Sequence, residues 1–378
     1  MRVLMLTPTL GIGGAEVLGV TWSVGLERRG HTVAVAYGAR DQRVGELRDH
    51  GVELFRTSDH ELGLATLGEW RRALREAVTS FRPDVLHAQS ITAALVATLS
   101  APRLPLLVTV HGIHDSDERL AALILRATAA RVTAVSEASA AGLRRRRLAP
   151  RVEVLRTGID LDRIVAAAGE LVDDVPSGSP RFCCVARQDP PKGVDVLIRA
   201  LPRVLEDLAG ATLTLVGDGE DLEANRRLAA ELGVAERVRF AGAQLNPAPY
   251  ILASDITVLP SRREGLPIVA LESFALQRPL VATAVGGTPT VVRDGESGWL
   301  VAPEDIAALA AAMIDAGANP ETARARGRAG RAIVERSFTA KRTLDQIERL
   351  LDELGREGTR RYLRWPGRRA ATVEPRVP

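Results

Sequence analysis

Two cations of different kinds stand close together in the segment RQDPPKG at 187–193. Arg187 and Lys192 follow an apolar run that predicts a strand and precede an apolar stripe that predicts a helix. The planar guanidinium and the compact ammonium together suit a diphosphate. Because only two of the 50 basic residues of the chain are lysines, a lysine here favours a binding role over a solvated loop.

Two carboxylates are separated by seven residues in the segment SRREGLPIVALE at 261–272. Glu264 ends a loop, and Pro267 suits the first position of the helix that follows. Glu272 then lies within a largely apolar helix, where a carboxylate requires a partner. A vicinal diol, such as the 2′ and 3′ hydroxyls of a ribose, would supply two donors. A salt bridge to an arginine is the alternative interpretation.

A glycine-rich segment, GIGGAE at 11–16, comes directly after the first predicted strand. Gly13 and Gly14 would let backbone N–H groups approach a phosphate at the start of a helix. The dinucleotide-binding fingerprint needs a glycine where Glu16 stands, so we do not predict a dehydrogenase. His111 follows another predicted strand, and the six histidines show none of the spacings typical of metal ligands.

The elements that must position these residues alternate between short β-branched runs and helical stripes. This alternation predicts parallel sheets covered by helices on both faces. We therefore predict an α/β protein with two doubly wound, Rossmann-like domains facing across a cleft. The predicted strands are Val3–Leu6, Thr32–Ala36, Val52–Phe55, Asp84–His87, Leu106–Val110, Val132–Ala134, Phe182–Ala186, Thr212–Val216, Val238–Phe240, Ile256–Leu259, Leu280–Thr283 and Trp299–Val301.

Composition shifts along the chain set the expected domain limits. Residues 1–172 form the first domain, and the Pro- and Ser-containing segment 173–180 forms a linker. Residues 181–338 form the second domain. A helix within 339–365 has one apolar face, for which we expect a partner surface on the first domain, and 366–378 is expected to be disordered.

Composition and charge exclude several classes of protein. Hydrophobic residues make up 46% and charged residues 26%, which excludes wholesale disorder. A net charge of +3 and 3% aromatics argue against a nucleic-acid partner. The adjacent Cys183 and Cys184 offer no disulfide framework, and the N-terminus has no secretory signal pattern. A cytoplasmic location is expected.

Basic residues cluster in two places. Arg144–Arg147 form one run, and Tyr362 and Trp365 stand among arginines near the end of the chain. Such runs are usually solvated helix ends. Docking on lipid headgroups is the alternative, which predicts peripheral contact with the inner face of a membrane.

These motifs, in this order over about residues 1–350, resemble the pattern of glycosyltransferase family 4. The supporting stretches are VTVHG at 108–112, TAVSE at 133–137, TGID at 157–160, LVGDGE at 215–220, AVGGTPTVV at 284–292 and DGESGWLVAPED at 294–305. The resemblance implies the GT-B fold and a retaining enzyme. Such an enzyme moves a sugar from a nucleoside-diphosphate sugar to a hydroxyl acceptor, which is a glycan, a lipid-linked molecule or a small molecule.

For the donor, the resemblance implies a role for each motif residue of the second domain. Arg187 and Lys192 hold the diphosphate, and Glu272 binds the nucleotide ribose. Glu264 meets hydroxyls of the donor sugar as a catalytic residue, and Gly265–Leu266 also line the donor. No metal and no cofactor beyond the nucleotide sugar are implied.

For the acceptor side, the resemblance implies that His111 lies near the transferred sugar as a second catalytic residue. Gly13 and Gly14 close on the phosphate and the acceptor. The sequence departs from the family pattern at Thr157, where asparagine is usual, and at Gln89, where a histidine is common. Both departures concern the first domain and therefore the acceptor more than the donor.

Two other functions fit the same architecture. One is a sugar-nucleotide epimerase or a glycogen-synthase-like enzyme, and the combination of Arg187, Lys192, Glu264 and Glu272 disfavours the epimerase. The other is a non-catalytic sugar-nucleotide-binding protein, which donor hydrolysis in the absence of acceptor would distinguish from an enzyme.

Overall fold

The computed structural model describes residues 1–60, 62–63, 65–112, 118–128, 131–145, 152–169, 172 and 175–363, with the backbone alone at 118, 120, 122 and 357–363. The chain forms two parallel β-sheets with helices on their faces. The prediction of two doubly wound α/β domains is therefore confirmed.

The first sheet has seven strands in the order β3-β2-β1-β4-β5-β6-β7, and every pairing is parallel. Its elements are β1 Arg2–Thr7, α1 Gly14–Arg28, β2 Thr32–Tyr37, α2 Val44–Arg48, β3 Glu53–Arg56, α3 Leu67–Phe81, β4 Val85–Ala88, α4 Ile91–Ser100, β5 Leu106–Val110, α5 Glu118–Ala127, β6 Arg131–Ala134, α6 Glu137–Arg145 and β7 Val152–Val154. Helix α7, Leu161–Ala167, follows. Strand β7 was not predicted, because three residues are too few to show a period.

The second sheet has six strands in the order β10-β9-β8-β11-β12-β13, again all parallel. Its elements are β8 Arg181–Val185, α8 Val194–Asp207, β9 Thr212–Val216, α9 Leu222–Glu231, β10 Val238–Gly242, α10 Ala248–Ala253, β11 Ile256–Leu259, α11 Ile268–Ala275, β12 Leu280–Thr283, α12 Thr288–Val291, β13 Gly298–Val301, α13 Ile306–Ala318 and α14 Pro320–Ser337. Short 3-10 turns lie at Pro190–Lys192 and Ala235–Arg237, and the last helix is α15, Ala340–Leu363.

The central strands have an apolar layer on both sides, which explains why they are continuous apolar runs in the sequence. On β1, Val3 and Met5 belong to one buried cluster, whereas Leu4 and Leu6 belong to another. Parallel strands bring their carboxyl ends to one edge of a sheet. The loops that follow the strands of each sheet therefore lie together at one edge of that sheet.

Two segments that cross between the domains are bonded to each other. Ile159 N donates to Phe338 O over 3.0 Å, and Ala340 N donates to Ile159 O over 2.8 Å. Gly158 lies so close to Phe338 that an added Cβ would overlap its carbonyl group. The outward and return connections between the domains thus pass through one point.

Helix α15 packs on the first domain after this crossing. It contacts α1, β4 and β5. Its apolar face is buried, at Leu344, Ile347, Leu350, Leu351 and Leu354. The domain limits predicted from the sequence stay predictions.

Several predicted features lie outside the described residues: Arg146 and Arg147, positions 173 and 174 of the linker, the side chain of Tyr362, Trp365 and the tail 366–378. Within the described ranges, no helix is long and apolar enough to cross a bilayer. Cys183 and Cys184 lie in β8 as buried free thiols.

Candidate functional site

Lys192 and Glu264 meet at the carboxyl edge of the second sheet. Lys192 follows β8 and Glu264 follows β11, and these strands are neighbours. The ammonium Nζ lies 2.7 Å from Glu264 Oε1, and Ser261 Oγ donates to the same oxygen over 2.8 Å. An ammonium has three donors, so this pair leaves lysine protons for an anionic ligand.

Arg187 stands apart from that pair. Its guanidinium is 59% exposed and binds Asp189 Oδ2 at 2.9 Å. In the described structure no hydrogen bond or ion pair joins Arg187 to Lys192 or Glu264. The structure therefore places both predicted cations at one sheet edge without bringing them into contact.

The loop that carries Arg187 is held by the LVGDGE segment. Buried Gln188 donates from Nε2 to Gly217 O over 3.1 Å, and Asn225 Nδ2 donates to Gln188 Oε1 over 3.1 Å. Gly217 has φ +140°, and an added Cβ would overlap the carbonyl oxygen of Ala186. This segment supports the arginine loop structurally.

Glu272 lies inside α11, whose first residue is Ile268, so that Pro267 is the N-cap and not the first helical residue as predicted. The residue is 6% exposed. Burial raises the pKa of Glu272 to about 7, while the charges of Arg43 and Arg163 act in the opposite direction.

Both of those arginines have another partner. Arg43 Nη1 binds Glu46 Oε1 at 2.6 Å, and Arg163 Nη2 binds the second oxygen of Glu46. Within the described part of the chain no ion pair or hydrogen bond engages the Glu272 carboxylate. The salt-bridge alternative for Glu272 is therefore not found, and its carboxylate is buried near positive charge without a direct partner.

Arg43 also joins the two domains. Its Nε donates to Gly11 O over 3.2 Å in the glycine-rich loop, and its Nη2 donates to Leu245 O over 3.1 Å in the loop after β10. The sequence analysis missed Arg43 and Arg163. Arginine is so common in this chain that neither position stood out.

Glycines bring the two domain edges into direct contact at the site. An added Cβ on Gly265 would overlap the carbonyl oxygen of His111, across the cleft. An added Cβ on Gly14 would lie 3.0 Å from Ile268 Cγ1 at the start of α11. Gly13 is the N-cap of α1. The structure thus brings the glycine-rich loop and His111 close to the Glu264–Leu266 loop.

His111 lies at the end of β5 beside a cavity of about 240 Å³ whose lining includes Glu16, Gln89 and Ser90. Its Nε2 lies 2.9 Å from the side-chain amide of Gln89. The ring stacks on Trp22 with 5.8 Å between centroids. Burial lowers the pKa of His111 to about 4, so the ring is neutral at physiological pH.

The arrangement combines an anion site with acceptors for hydroxyl groups. Lys192 and Arg187 supply positive charge. Glu264 and Glu272 supply carboxylate oxygens on either side of the start of α11. Among the described residues, no group of three or more His, Cys, Asp or Glu is arranged to hold a metal ion.

Two family models match the chain. A model described as Glycosyltransferase Family 4 matches residues 12–163, and a model described as Glycosyl transferases group 1 matches residues 179–319. Together they cover most of both domains.

Curated relatives match parts of the chain. A GDP-mannose-dependent alpha-(1-6)-phosphatidylinositol monomannoside mannosyltransferase of Mycolicibacterium smegmatis is 38% identical over 194 residues, which is 48% of this chain and 50% of that protein. A D-inositol 3-phosphate glycosyltransferase of Streptomyces avermitilis is 31% identical over 304 residues, 70% of this chain and 65% of that protein. The chain thus spans about half the length of the first of these relatives.

Solved structures match the fold across nearly the whole chain. The structure of HepE from Anabaena in complex with UDP and glucose has a TM-score of 0.82 at 21% identity, and covers 93% of this chain and all of that one. WaaG, a glycosyltransferase involved in lipopolysaccharide biosynthesis, has a TM-score of 0.74 at 18% identity over 93% and 99% of the two chains. At these identities the likeness shows the fold, two facing α/β domains.

Proposed function

Because the chain belongs to glycosyltransferase family 4, we propose that it moves a sugar from a nucleoside-diphosphate sugar to a hydroxyl acceptor with retention of anomeric configuration. The observation that carries the proposal is the contact of Lys192 Nζ with Glu264 Oε1 at 2.7 Å. A cation for the leaving diphosphate and a carboxylate for the sugar hydroxyls stand side by side at the cleft edge. A site for a nucleotide alone would not need that carboxylate.

We assign the donor contacts accordingly. Lys192 binds the diphosphate, and the exposed guanidinium of Arg187 turns from Asp189 to the same group. Gly265 and Leu266 line the sugar next to Glu264. The buried carboxylate of Glu272 accepts from the ribose hydroxyls.

The chemistry follows from where charge develops. When the anomeric carbon loses the nucleoside diphosphate, negative charge grows on the leaving phosphate beside the two cations, and removing one such contact typically costs ~2.7–4 kcal/mol in the barrier. The leaving phosphate then takes the proton of the acceptor hydroxyl on the same face of the sugar. The two cations supply the charge that a divalent metal would supply, so we propose a metal-independent reaction.

The acceptor enters from the first domain. Gly13 and Gly14 lie at the start of α1, and His111 lies beside the cavity of about 240 Å³ at the same sheet edge. The Gly265 backbone touches the His111 backbone across the cleft, so an acceptor in this cavity would lie next to the donor sugar. A hydroxyl group of a glycan, lipid-linked or small-molecule acceptor fits this placement.

The test is a transfer assay with purified protein. GDP-mannose, which the name of the Mycolicibacterium smegmatis relative contains, and UDP-glucose, the conjugate of the UDP and glucose bound in the HepE structure, are the first donors, with and without inositol-type acceptors. We expect release of nucleoside diphosphate and unchanged rates in excess chelator. Proton NMR should show that the sugar in the product has the same anomeric configuration as in the donor. Tight donor binding without release of diphosphate would favour the non-catalytic alternative. Loss of activity in chelator with rescue by magnesium would contradict metal independence.

We further propose a cytoplasmic protein with peripheral contact at the inner face of a membrane. Arg144 and Arg145 end α6, and Leu123 on the adjoining α5 is 58% exposed. Cationic and apolar side chains together suit an anionic lipid surface. Flotation with vesicles containing anionic lipid tests this contact, and equal recovery with neutral vesicles would contradict it.

A further inference from the structure

A chain of polar side chains runs from the cleft edge into the first sheet. It begins at His111 and continues through Gln89, His87, Thr109 and Thr133. All but His111 are buried. Because water cannot reach these atoms, the donors and acceptors must match one another along the chain.

The hydrogen bonds can run in two directions, because either threonine hydroxyl can donate across the 2.9 Å between Thr109 and Thr133. In one direction Thr133 Oγ1 donates to Val108 O over 3.2 Å, and Thr109 donates to Thr133 Oγ1. Thr109 Oγ1 then accepts from His87 Nε2, which lies 2.8 Å away. This direction requires a proton on His87 Nε2.

The other nitrogen of the ring selects this direction. Nδ1 of His87 is buried and has no hydrogen-bond partner in the described structure. A buried N–H without a partner is rarer than an acceptor without one. Burial, with a smaller contribution from His111, lowers the pKa of His87 to about 3, so the ring holds one proton and that proton is on Nε2.

The amide of Gln89 lies between the two imidazoles. Its two terminal atoms are 3.2 Å from His87 Nε2 and 2.9 Å from His111 Nε2. The oxygen and nitrogen of an amide are told apart by their partners. Because His87 Nε2 bears a proton, the atom that faces it is the oxygen, and the amide nitrogen faces His111.

We propose that Gln89 is a positioning residue that holds His111 as its Nδ1–H tautomer, so that His111 meets the transferred sugar as a hydrogen-bond donor and not as a base. The inference rests on the proposed function for the identity of that ligand. Trp22 stacks on both imidazoles, with centroids 5.8 and 6.0 Å away, and so restrains their orientation. A donor at this position leaves the acceptor proton to the diphosphate.

The tautomer is measured directly by two-bond ¹⁵N–¹H NMR on histidine-labelled protein, with His111→Asn identifying the signals of His111. We expect a protonated Nδ1 and an unprotonated Nε2 in the wild-type protein. In Gln89→Glu the carboxylate can only accept a hydrogen bond, so we expect the proton of His111 on Nε2. A wild-type ring protonated on Nε2 overturns the proposal.

Kinetics give a second, independent readout. Gln89→Met and Gln89→Glu should each lower kcat/KM about tenfold, in keeping with one lost hydrogen bond. The carboxylate of Gln89→Glu raises the pKa of the adjacent imidazole, so that this variant gains a pH dependence near neutrality that the wild type lacks. Gln277→Glu makes the same change at an exposed residue and should leave the rate unchanged.

Melting temperatures show whether the Gln89 variants retain the fold. Wild-type kinetics and pH profiles in both folded variants overturn the positioning role. Failure of the wild-type protein to turn over any sugar nucleotide contradicts the proposed function instead, and the NMR result still decides the tautomer.

Discussion

Replacing Glu272 by glutamine should stabilise the free protein and weaken its nucleotide binding at the same time. The carboxylate is buried and its pKa is raised from 4.5 to about 7, chiefly by burial. A folded-state pKa above the unfolded value means that the folded state holds the proton more tightly. Stability is therefore lost as the pH rises from 4.5 through 7, and the loss is complete above that range.

The magnitude follows from the size of this rise. One pKa unit is worth ~1.4 kcal/mol, so the ionised Glu272 costs about 3 kcal/mol of folding free energy at pH 8 and under about 1 kcal/mol at pH 5. Glutamine resembles the protonated acid in size and lacks the charge. Glu272→Gln should therefore unfold at higher urea concentration than the wild type at pH 8, with a difference that shrinks towards pH 5.

Urea unfolding of both proteins at several pH values measures this effect. Glu231→Gln, the same change at an exposed residue, serves as the control and should show no pH-dependent difference. Calorimetry with GDP or UDP should show the opposite order, because an ionised carboxylate accepts from a ribose diol better than an amide does. A stability difference that is the same at pH 5 and pH 8 would refute the reasoning.

Three further predictions concern other parts of the structure. Lys192→Ala should lower turnover by about 10²-fold with little change in melting temperature, and near-normal turnover would contradict the diphosphate assignment. Gly265→Ala should reduce turnover strongly because its methyl group overlaps the opposite domain edge, whereas Gly19→Ala, with open space at its Cβ, should remain active. Leu351→Ala in α15 should cost about 2–5 kcal/mol in urea unfolding and the exposed Asp352→Ala very little; equal stability would show that α15 is not part of the core.

The sequence predicted those parts of the fold that depend on local patterns. Continuous apolar runs such as Leu106–Val110 predicted twelve of the thirteen strands found in the described residues, and the alternation with helices predicted the parallel sheets. The sequence also indicated that Lys192 and Glu264 each come after a strand of the second sheet, where the carboxyl ends of parallel strands share an edge, but it did not predict their direct contact.

The remainder of the site depends on contacts between residues that are distant in the chain. Arg43 is buried between the glycine-rich loop and the loop at Leu245, and nothing in its own neighbourhood predicts this. Glutamine at position 89 was recognised as a departure from the family pattern. Its role depends on a chain of hydrogen bonds that spans three strands, which the sequence does not show. The Glu272 carboxylate has no direct partner in the described structure because both nearby arginines pair with Glu46.

The crossing at Ile159 and Phe338 restricts how the two domains can move relative to each other. Two bodies whose chain connections meet at one point can rotate about that point once the other contacts between them, such as Arg43 with Leu245 O, are broken, but they cannot separate by translation. Under rotation, displacement grows with distance from the pivot. Opening would therefore widen the cleft most at the parts that lie far from the crossing. The backbone next to the crossing would hardly move. Substrates would enter through a wedge-shaped gap, and the same small rotation would restore the contact between the domain edges each time.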